Sequence, residues 1–378
     1  EGAFNFGQRA FDYTPPSGFK ALSTKNLPPN VPSIVRPQKH FDTILYTGNA
    51  STNNITGLEF EPDFIWIKSR GQGYPHYWFD RLRNNFVNNI RSDSNSTEPT
   101  DGTSLTGVYH GGFSMSGNSG INDTNSGTDG FCAWCWKAGG AAVSNSDGSI
   151  TTSISANQEA GFSIVTYTGT GSAATIGHGL GKTPKLIIVK NRSTQQDWFV
   201  NNGMIFNDYG KYYKLNSSSS SNASDTNVFP NTAPTSTVFS VGTDNAVNGN
   251  GDTYVAYVWS EIPGFSQFGY WTGNGSTDGP YIHTGFTPRM IIYRKKSDEN
   301  WHIMDTKRDP INPNKLGLDP NLSNAEADDS NLSLDILSNG FKLRSSHSTA
   351  NTSGTQYFYY TWAEQPGFTN FDTMPNAR

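Results

Sequence analysis

Phe41-Asp42-Thr43-Ile44-Leu45-Tyr46-Thr47-Gly48 is the first of three near-copies of one phrase. Its counterparts read FSIVTYTG from Phe162 to Gly169 and FSQFGYWTG from Phe265 to Gly273. Each is followed later by an aromatic run closing on tryptophan: FCAWCW (Phe131 to Trp136), YVAYVW (Tyr254 to Trp259) and YFYYTW (Tyr357 to Trp362). Self-similarity at a fixed period sets what every other residue must be compared with. Here it divides the chain into three diverged modules of about 100 residues, an ordinary domain size. It also supplies an internal control, because a residue lost between copies is not required by the shared scaffold.

The composition suits short aromatic strands joined by Gly, Asn, Ser and Thr turns. Of 378 residues only 16% are charged and 13% are aromatic, with 39 Gly and 20 Pro. Helical bundles need Ala, Leu, Glu and Lys in other proportions, so the expected fold class is all-β. The net charge is −5 and no Lys/Arg cluster is interleaved with aromatics, which argues against a nucleic-acid partner. No apolar run approaches the roughly 18 residues of a membrane span, so no membrane insertion is expected. The chain opens at Glu1 without Met and without a signal-peptide pattern, and reads as a processed product or part of a longer polypeptide. Asn-x-Ser/Thr triplets such as Asn54-Ile55-Thr56 arise by chance in so Asn-, Ser- and Thr-rich a chain.

Residues 1–38 read as a strand remnant (Phe4 to Arg9) and a Pro-rich connector containing Pro28, Pro29, Pro32 and Pro37, which cannot continue a sheet. Module 1 follows at 39–138, a Gly/Ser/Asn-rich linker at 139–160, module 2 at 161–262, and module 3 with a tail at 263–378. Each is expected to be β-sandwich-like. In each, a second strand follows a proline: Pro62 before Phe64-Ile65-Trp66-Ile67, Pro184 before Leu186-Ile187-Ile188-Val189, Pro288 before Met290-Ile291-Ile292-Tyr293. Proline is tolerated at a strand's start, and the near-continuous apolar run predicts burial on both faces. A third element places an acid three residues before a base in two copies, Asp80 with Arg83 and Asp305 with Arg308. Asn216 to Asn227 reads as a long polar loop. The joint Trp259-Ser260-Glu261-Ile262-Pro263-Gly264-Phe265 is matched by Trp362-Ala363-Glu364-Gln365-Pro366-Gly367-Phe368. Its Pro-Gly turn predicts stiff coupling between modules 2 and 3, with a looser joint across the linker.

Candidate chemistry is thinned by comparing copies. Cys132-Ala133-Trp134-Cys135 suggests redox or zinc chemistry. Val255 and Phe358 stand opposite Cys132, however, Val258 and Thr361 opposite Cys135, and strand residues three apart face opposite sides. Two free structural thiols are expected, and no metal site. Paired carboxylates for glycoside cleavage must face one groove. Glu261 and Glu364 recur at joints and Asp80 and Asp305 at strand ends, but module 2 offers no acid equivalent to Asp80 after Trp198-Phe199-Val200, so an Asp–Arg pair or turn cap is the simpler reading. His302 beside Trp301 is read as structural. Asn122-Asp123-Thr124-Asn125, with counterparts at Asn248 and Asn351, resembles a calcium loop only superficially and reads as Asx turns. Gly177-His178-Gly179-Leu180-Gly181-Lys182 leads to a strand, whereas a phosphate cradle needs a helix start. No catalytic residue and no cofactor is therefore expected. Tyr74, Tyr77, Tyr209, Tyr212 and Tyr213 are expected as exposed loop aromatics, suited to stacking on sugars or to protein contacts.

The repeats resemble an uncharacterised repeat domain of tailed-phage structural proteins, of the kind found in phages of marine bacteria and cyanobacteria. The YTGN start, the P-D-F-I-W-I-K strand, Asp305-Thr306-Lys307-Arg308-Asp309-Pro310 and Pro320-Asn321-Leu322-Ser323-Asn324-Ala325-Glu326 carry the resemblance. Phe4 to Phe11 is similar to the end of a SPRY-like, lectin-type domain. The resemblance implies a virion structural protein on a tail fibre or appendage, non-catalytic, contacting a host-surface glycan or protein. It further implies homotrimers and contacts with other virion proteins. A polysaccharide-degrading tailspike and a capsid decoration protein are the competing expectations.

Overall fold

A computed structural model of the chain describes residues 34–99, 104–117, 124–219 and 225–366. The expected strand remnant, most of the connector, Asn122-Asp123 and the tail lie outside these residues. The described chain is predominantly antiparallel β-sheet with a few single-turn helices, the all-β class that its composition implies. Three larger sheets have five, seven and four strands.

These sheets share one strand order. An opening strand (Phe41–Thr47, Phe162–Thr168 or Ser266–Thr272) pairs with the closing strand (Gly130–Trp136, Thr253–Trp259 or Gln356–Pro366). The closing strand pairs with the second (Phe64–Ser69, Leu186–Asn191 or Phe286–Lys295), and the second with the third (Tyr77–Asp80, Trp198–Asn201 or Trp301–Asp305). The register recurs too: Phe64, Leu186 and Met290 lie opposite Trp136, Trp259 and Trp362. Pro62 and Pro184 precede their strands, but Pro288 sits inside its strand at a register shift, where a bulge absorbs the missing N–H.

The second strands are buried along both faces, as their unbroken apolar runs predict. Alternate residues serve different cores. Ile65 and Ile67 face a smaller sheet built from Asn53–Thr56, Gly112–Met115 and Leu105–Tyr109. Smaller sheets stand likewise against the second and third large sheets. Phe64 and Trp66 point the other way, into one cluster drawn from all three repeats. At its centre Trp136, Trp259 and Trp362 form a triangle with ring centroids 6.2, 5.9 and 5.4 Å apart, each pair steeply inclined. Such edge-to-face pairs add about 0.5–1.5 kcal/mol each beyond the area they bury.

Two expectations are corrected here. The stretch expected as a linker forms strands Val143–Asn145 and Thr152–Asn157, which extend the second sheet beyond its opening strand. Thr152, Ile154 and Ser155 are buried and Ser153 is exposed, so the strand is partly buried although its small polar residues read as a linker. Nor do the repeats run on as an open array with one loose joint. Repeat 3 returns to repeat 1, with Phe41 5.8 Å from Trp362 between ring centroids. An aromatic inner face on every sheet needs cover, and the three faces cover one another.

Candidate functional site

Closing the ring creates three seams, and equivalent residues meet at each. The end of one third strand reaches the closing strand of the following repeat. Tyr257 donates its hydroxyl to Asp80 Oδ2 (2.6 Å), Asn202 Nδ2 donates to the Tyr360 hydroxyl (3.0 Å), and Trp134 Nε1 donates to Asp305 Oδ2 (3.2 Å). The start of each third strand meets the loop of the preceding repeat. Trp198 Nε1 donates to the Arg91 carbonyl (2.8 Å), Trp301 Nε1 to the Lys214 carbonyl (2.9 Å), and His76 lies against the backbone of Asp319. Asn202 is thus the counterpart of Asp80 and Asp305. Sequence comparison centred on Trp198 missed it because the match is to a neutral side chain, four residues beyond the aromatic.

Two seams carry buried ion networks. Asp80 Oδ1 caps the turn through the backbone N–H groups of Leu82 and Arg83, and Oδ2 accepts from Arg83 Nε at 2.5 Å. Asp305 repeats this with Lys307 N, Arg308 N and Arg308 Nε. Both pairs are fully buried, so the sequence reading of an Asp–Arg pair that also caps a turn holds. Glu98 then links Arg83 to Arg192 of repeat 2, while Glu326 links Arg308 (2.9 Å) to Arg70 of repeat 1 (2.7 Å). Burial works against charge on Arg83 and Arg308, but the carboxylates around each raise both above their ordinary pKa.

The seam between repeats 2 and 3 is built differently. Asn202 replaces the acid, Ile205 takes the place of Arg83 and Arg308, and Lys296 that of Arg70 and Arg192. The Lys296 ammonium lies 4.2 Å from the Phe206 ring centroid and donates to Gln356 Oε1 at 2.9 Å. Among the described residues it makes no ion pair with a carboxylate.

Deeper on the same sheet faces, Lys68, Lys190 and Arg294 occupy one equivalent position, all buried. Backbone carbonyls accept from each: Ser69 and Gln72 from Lys68, Asn191 and Gln196 from Lys190, Glu299, Ser218 and Ser219 from Arg294. Burial pushes Lys190 down to about 8, against the pull of Asp197 and Glu98, and Arg294 down to about 10. Ser218 and Ser219 of the expected long loop are therefore packing elements of the next repeat.

The five tyrosines are not a single exposed patch. Tyr77 is buried on a third strand, and Tyr213 is buried in the short strand Tyr213–Lys214 with its ring 4.6 Å from Phe358. Tyr74, Tyr209 and Tyr212 are half-buried, and Tyr212 packs 4.9 Å from Phe199. Adjacent Tyr212 and Tyr213 pack into different clusters, and a two-residue strand leaves no periodic signal in sequence. The half-exposed Tyr270 and Tyr281, both on strands, escaped the loop-based reading.

Other candidates are held by the scaffold. Cys132 faces the shared core and Cys135 the opposite one; both are free, and burial raises both thiol pKa values. Glu261 pairs with Lys185, Glu364 with Arg289, and His302 bonds Asp319 at 2.8 Å while packed on Tyr293. Asn125, Asn248 and Asn351 are equivalent buried ties across loops. Asn351 Nδ2 donates to the carbonyls of Ser276 and Ser345, Asn248 Nδ2 to those of Ser172 and Gly242, and Asn125 Nδ2 to those of Ser51 and Ser116. The void at the aromatic centre, about 10 Å³, is barely room for one water.

His178 gives these loops a pH dependence. Gly179 and Gly181 take left-handed turns (φ 69° and 66°), and His178 is buried between the Leu180 N–H and the Thr235 carbonyl. Burial pushes its pKa down to about 4. The folded imidazole stays neutral while the unfolded one takes up a proton below its ordinary 6.5, so stability present above pH 6.5 is lost as pH falls towards 4. At 1.36 kcal/mol per unit the full loss is about 3 kcal/mol. His76 acts in the same direction, and Asp42, raised by burial, acts against it. His178→Gln is expected to remove that share of the difference in urea midpoint between pH 7 and pH 4.5.

Residues 36–366 match the family described as Domain of unknown function (DUF7483). No curated protein and no solved structure matches the chain.

Proposed function

The chain belongs to the DUF7483 family, and from that premise we propose that it is a virion structural protein: a component of a phage tail fibre or appendage that contributes to host-surface attachment without catalysis. In this reading it is three β-sandwich-like modules closed into a ring. The observation that carries it is the division of labour among residues. Those shared by the repeats are consumed by the aromatic centre, the seams and the asparagine ties. The loops between the paired strands stand on that fixed scaffold, an arrangement suited to recognition.

Asp80 and Asp305, the acids a depolymerase would most readily use, are sealed and occupied by arginine. The partners are a host-surface glycan or protein and other virion proteins, and the homotrimer implied by the resemblance would set three such rings together. The test is adsorption. Host cells pre-incubated with the purified chain are expected to take up fewer particles of a phage that carries it, and immunogold is expected to label the tail. Unchanged adsorption would overturn receptor contact, labelling of the shell would favour decoration, and release of reducing ends from host polysaccharide would overturn the non-catalytic reading.

A further inference from the structure

We propose that the seam between repeats 2 and 3 is a binding subsite for a carboxylated sugar, a proposal that rests on the host-attachment reading and gives its ligand a chemical class. Three observations meet there. The first is a cation without its acid. Arg70 and Arg192 are each engaged by a glutamate from the preceding repeat, whereas Lys296, at the equivalent position, makes no ion pair among the described residues. Among the described residues its ammonium meets an amide oxygen and a ring face. A ligand carboxylate would restore the pairing made at the other two seams, in a setting partly shielded from water where a charge-assisted bond is strong.

The second is an aromatic platform at the same place. Tyr270 is 49% exposed, and its ring centroid lies 5.4 Å from that of Phe206, at an interplanar angle of 35°. Leu45 and Thr166 occupy its position in the other repeats, by their shared register with the closing strands. A tyrosine face offers the C–H-rich side of a pyranose a flat apolar surface, and the hydroxyl remains at the wet edge. The third is the rim. Lys211 is near enough to disfavour charge on Lys296, Asp208 offsets it in part while paired with Lys211 at 2.8 Å, and Asn207 accepts from the Tyr209 hydroxyl. Lys211 and Asp208 thus pair with each other, and Lys296 is the rim cation that makes no ion pair among the described residues.

The experiment titrates the full chain with a hyaluronan tetrasaccharide and with its carboxyl-reduced form, followed by saturation-transfer NMR and calorimetry. Binding of the acidic form is expected, with at least tenfold weakening by Tyr270→Ala or Lys296→Gln and no effect of Thr166→Ala at the equivalent position. The reduced form is expected to bind at least fivefold more weakly. No binding by the wild-type chain, equal binding of the two forms, or binding untouched by both variants would overturn the subsite. Adsorption assays on the same variants separate the two readings. A chain that competes for host cells yet ignores the saccharide loses this subsite alone, whereas one that binds the saccharide but never competes loses the attachment reading.

Discussion

Trp136→Ala is expected to lower the stability of the whole ring, not of repeat 1 alone. The indole is almost wholly buried, stacks on Phe41 and Phe64 at 4.6 and 5.2 Å, and faces Trp259 and Trp362 across the centre. Removing such a side chain costs about 3–5 kcal/mol, from lost burial and from the cavity left behind. In an open solenoid each repeat contacts only its neighbours, and damage to a terminal one stays local. Here the cavity would open on all three sheets together. Calorimetry should show one transition moved down by on the order of 10 °C, at the few degrees per kcal/mol typical of large domains. Two transitions, with repeats 2 and 3 melting near the wild-type temperature, would show that the shared core does not couple the repeats.

Asp305→Ala should cost about as much by a different route. It leaves the buried Arg308 guanidinium with Glu326 as its one remaining carboxylate among the described residues, strips two backbone N–H groups of their cap, and orphans the Trp134 indole across the seam. Breaking one partner of a buried pair typically costs 3–5 kcal/mol, most of it the penalty of an uncompensated charge. Repeat 2 indicates the repair, because Asn202 and Ile205 stand at the same two positions with no charge at all. The double change Asp305→Asn with Arg308→Ile is therefore expected to be less damaging than Asp305→Ala. Urea midpoints of the wild type, both single variants and the double variant complete the cycle. Additive losses would mean that the pair is not coupled as its geometry implies.

The strands were legible because local patterns encode them. Phe64 to Ile67 read as buried on both sides since nothing in the run is polar, and Cys132 and Cys135 read as facing apart since a strand alternates. Asp80 and Arg83 are three residues apart in a turn, so their pairing is a local fact. Ring closure is not local. That Trp134 meets Asp305, or Arg70 meets Glu326, depends on faces far apart in sequence, and an aromatic face declares only its need for cover. Val143–Asn145 and Thr152–Asn157 were hidden for the opposite reason: small polar residues resemble a linker even when they pair in a sheet. Tyr77 and Tyr213 misled because a tyrosine reads alike in a loop and in a short strand. Lys296 stood out only once the other two seams showed what a complete one contains.

The turn Pro37–Lys39 lies beside the last described strand, where the Gln38 side chain donates to the Glu364 carbonyl. Repeats 1 and 3 are as much neighbours in space as repeats 1 and 2. The molecule therefore has a reading order but a cyclic anatomy, and the frame in which its repeats are counted is a convention of the gene. A duplication or recombination event could have divided the unit before Phe41, at Pro62 or after Trp136 and still produced the same solid. Boundaries drawn from the opening phrase describe the text. The seams, which belong to no single repeat, are the joints along which the solid divides.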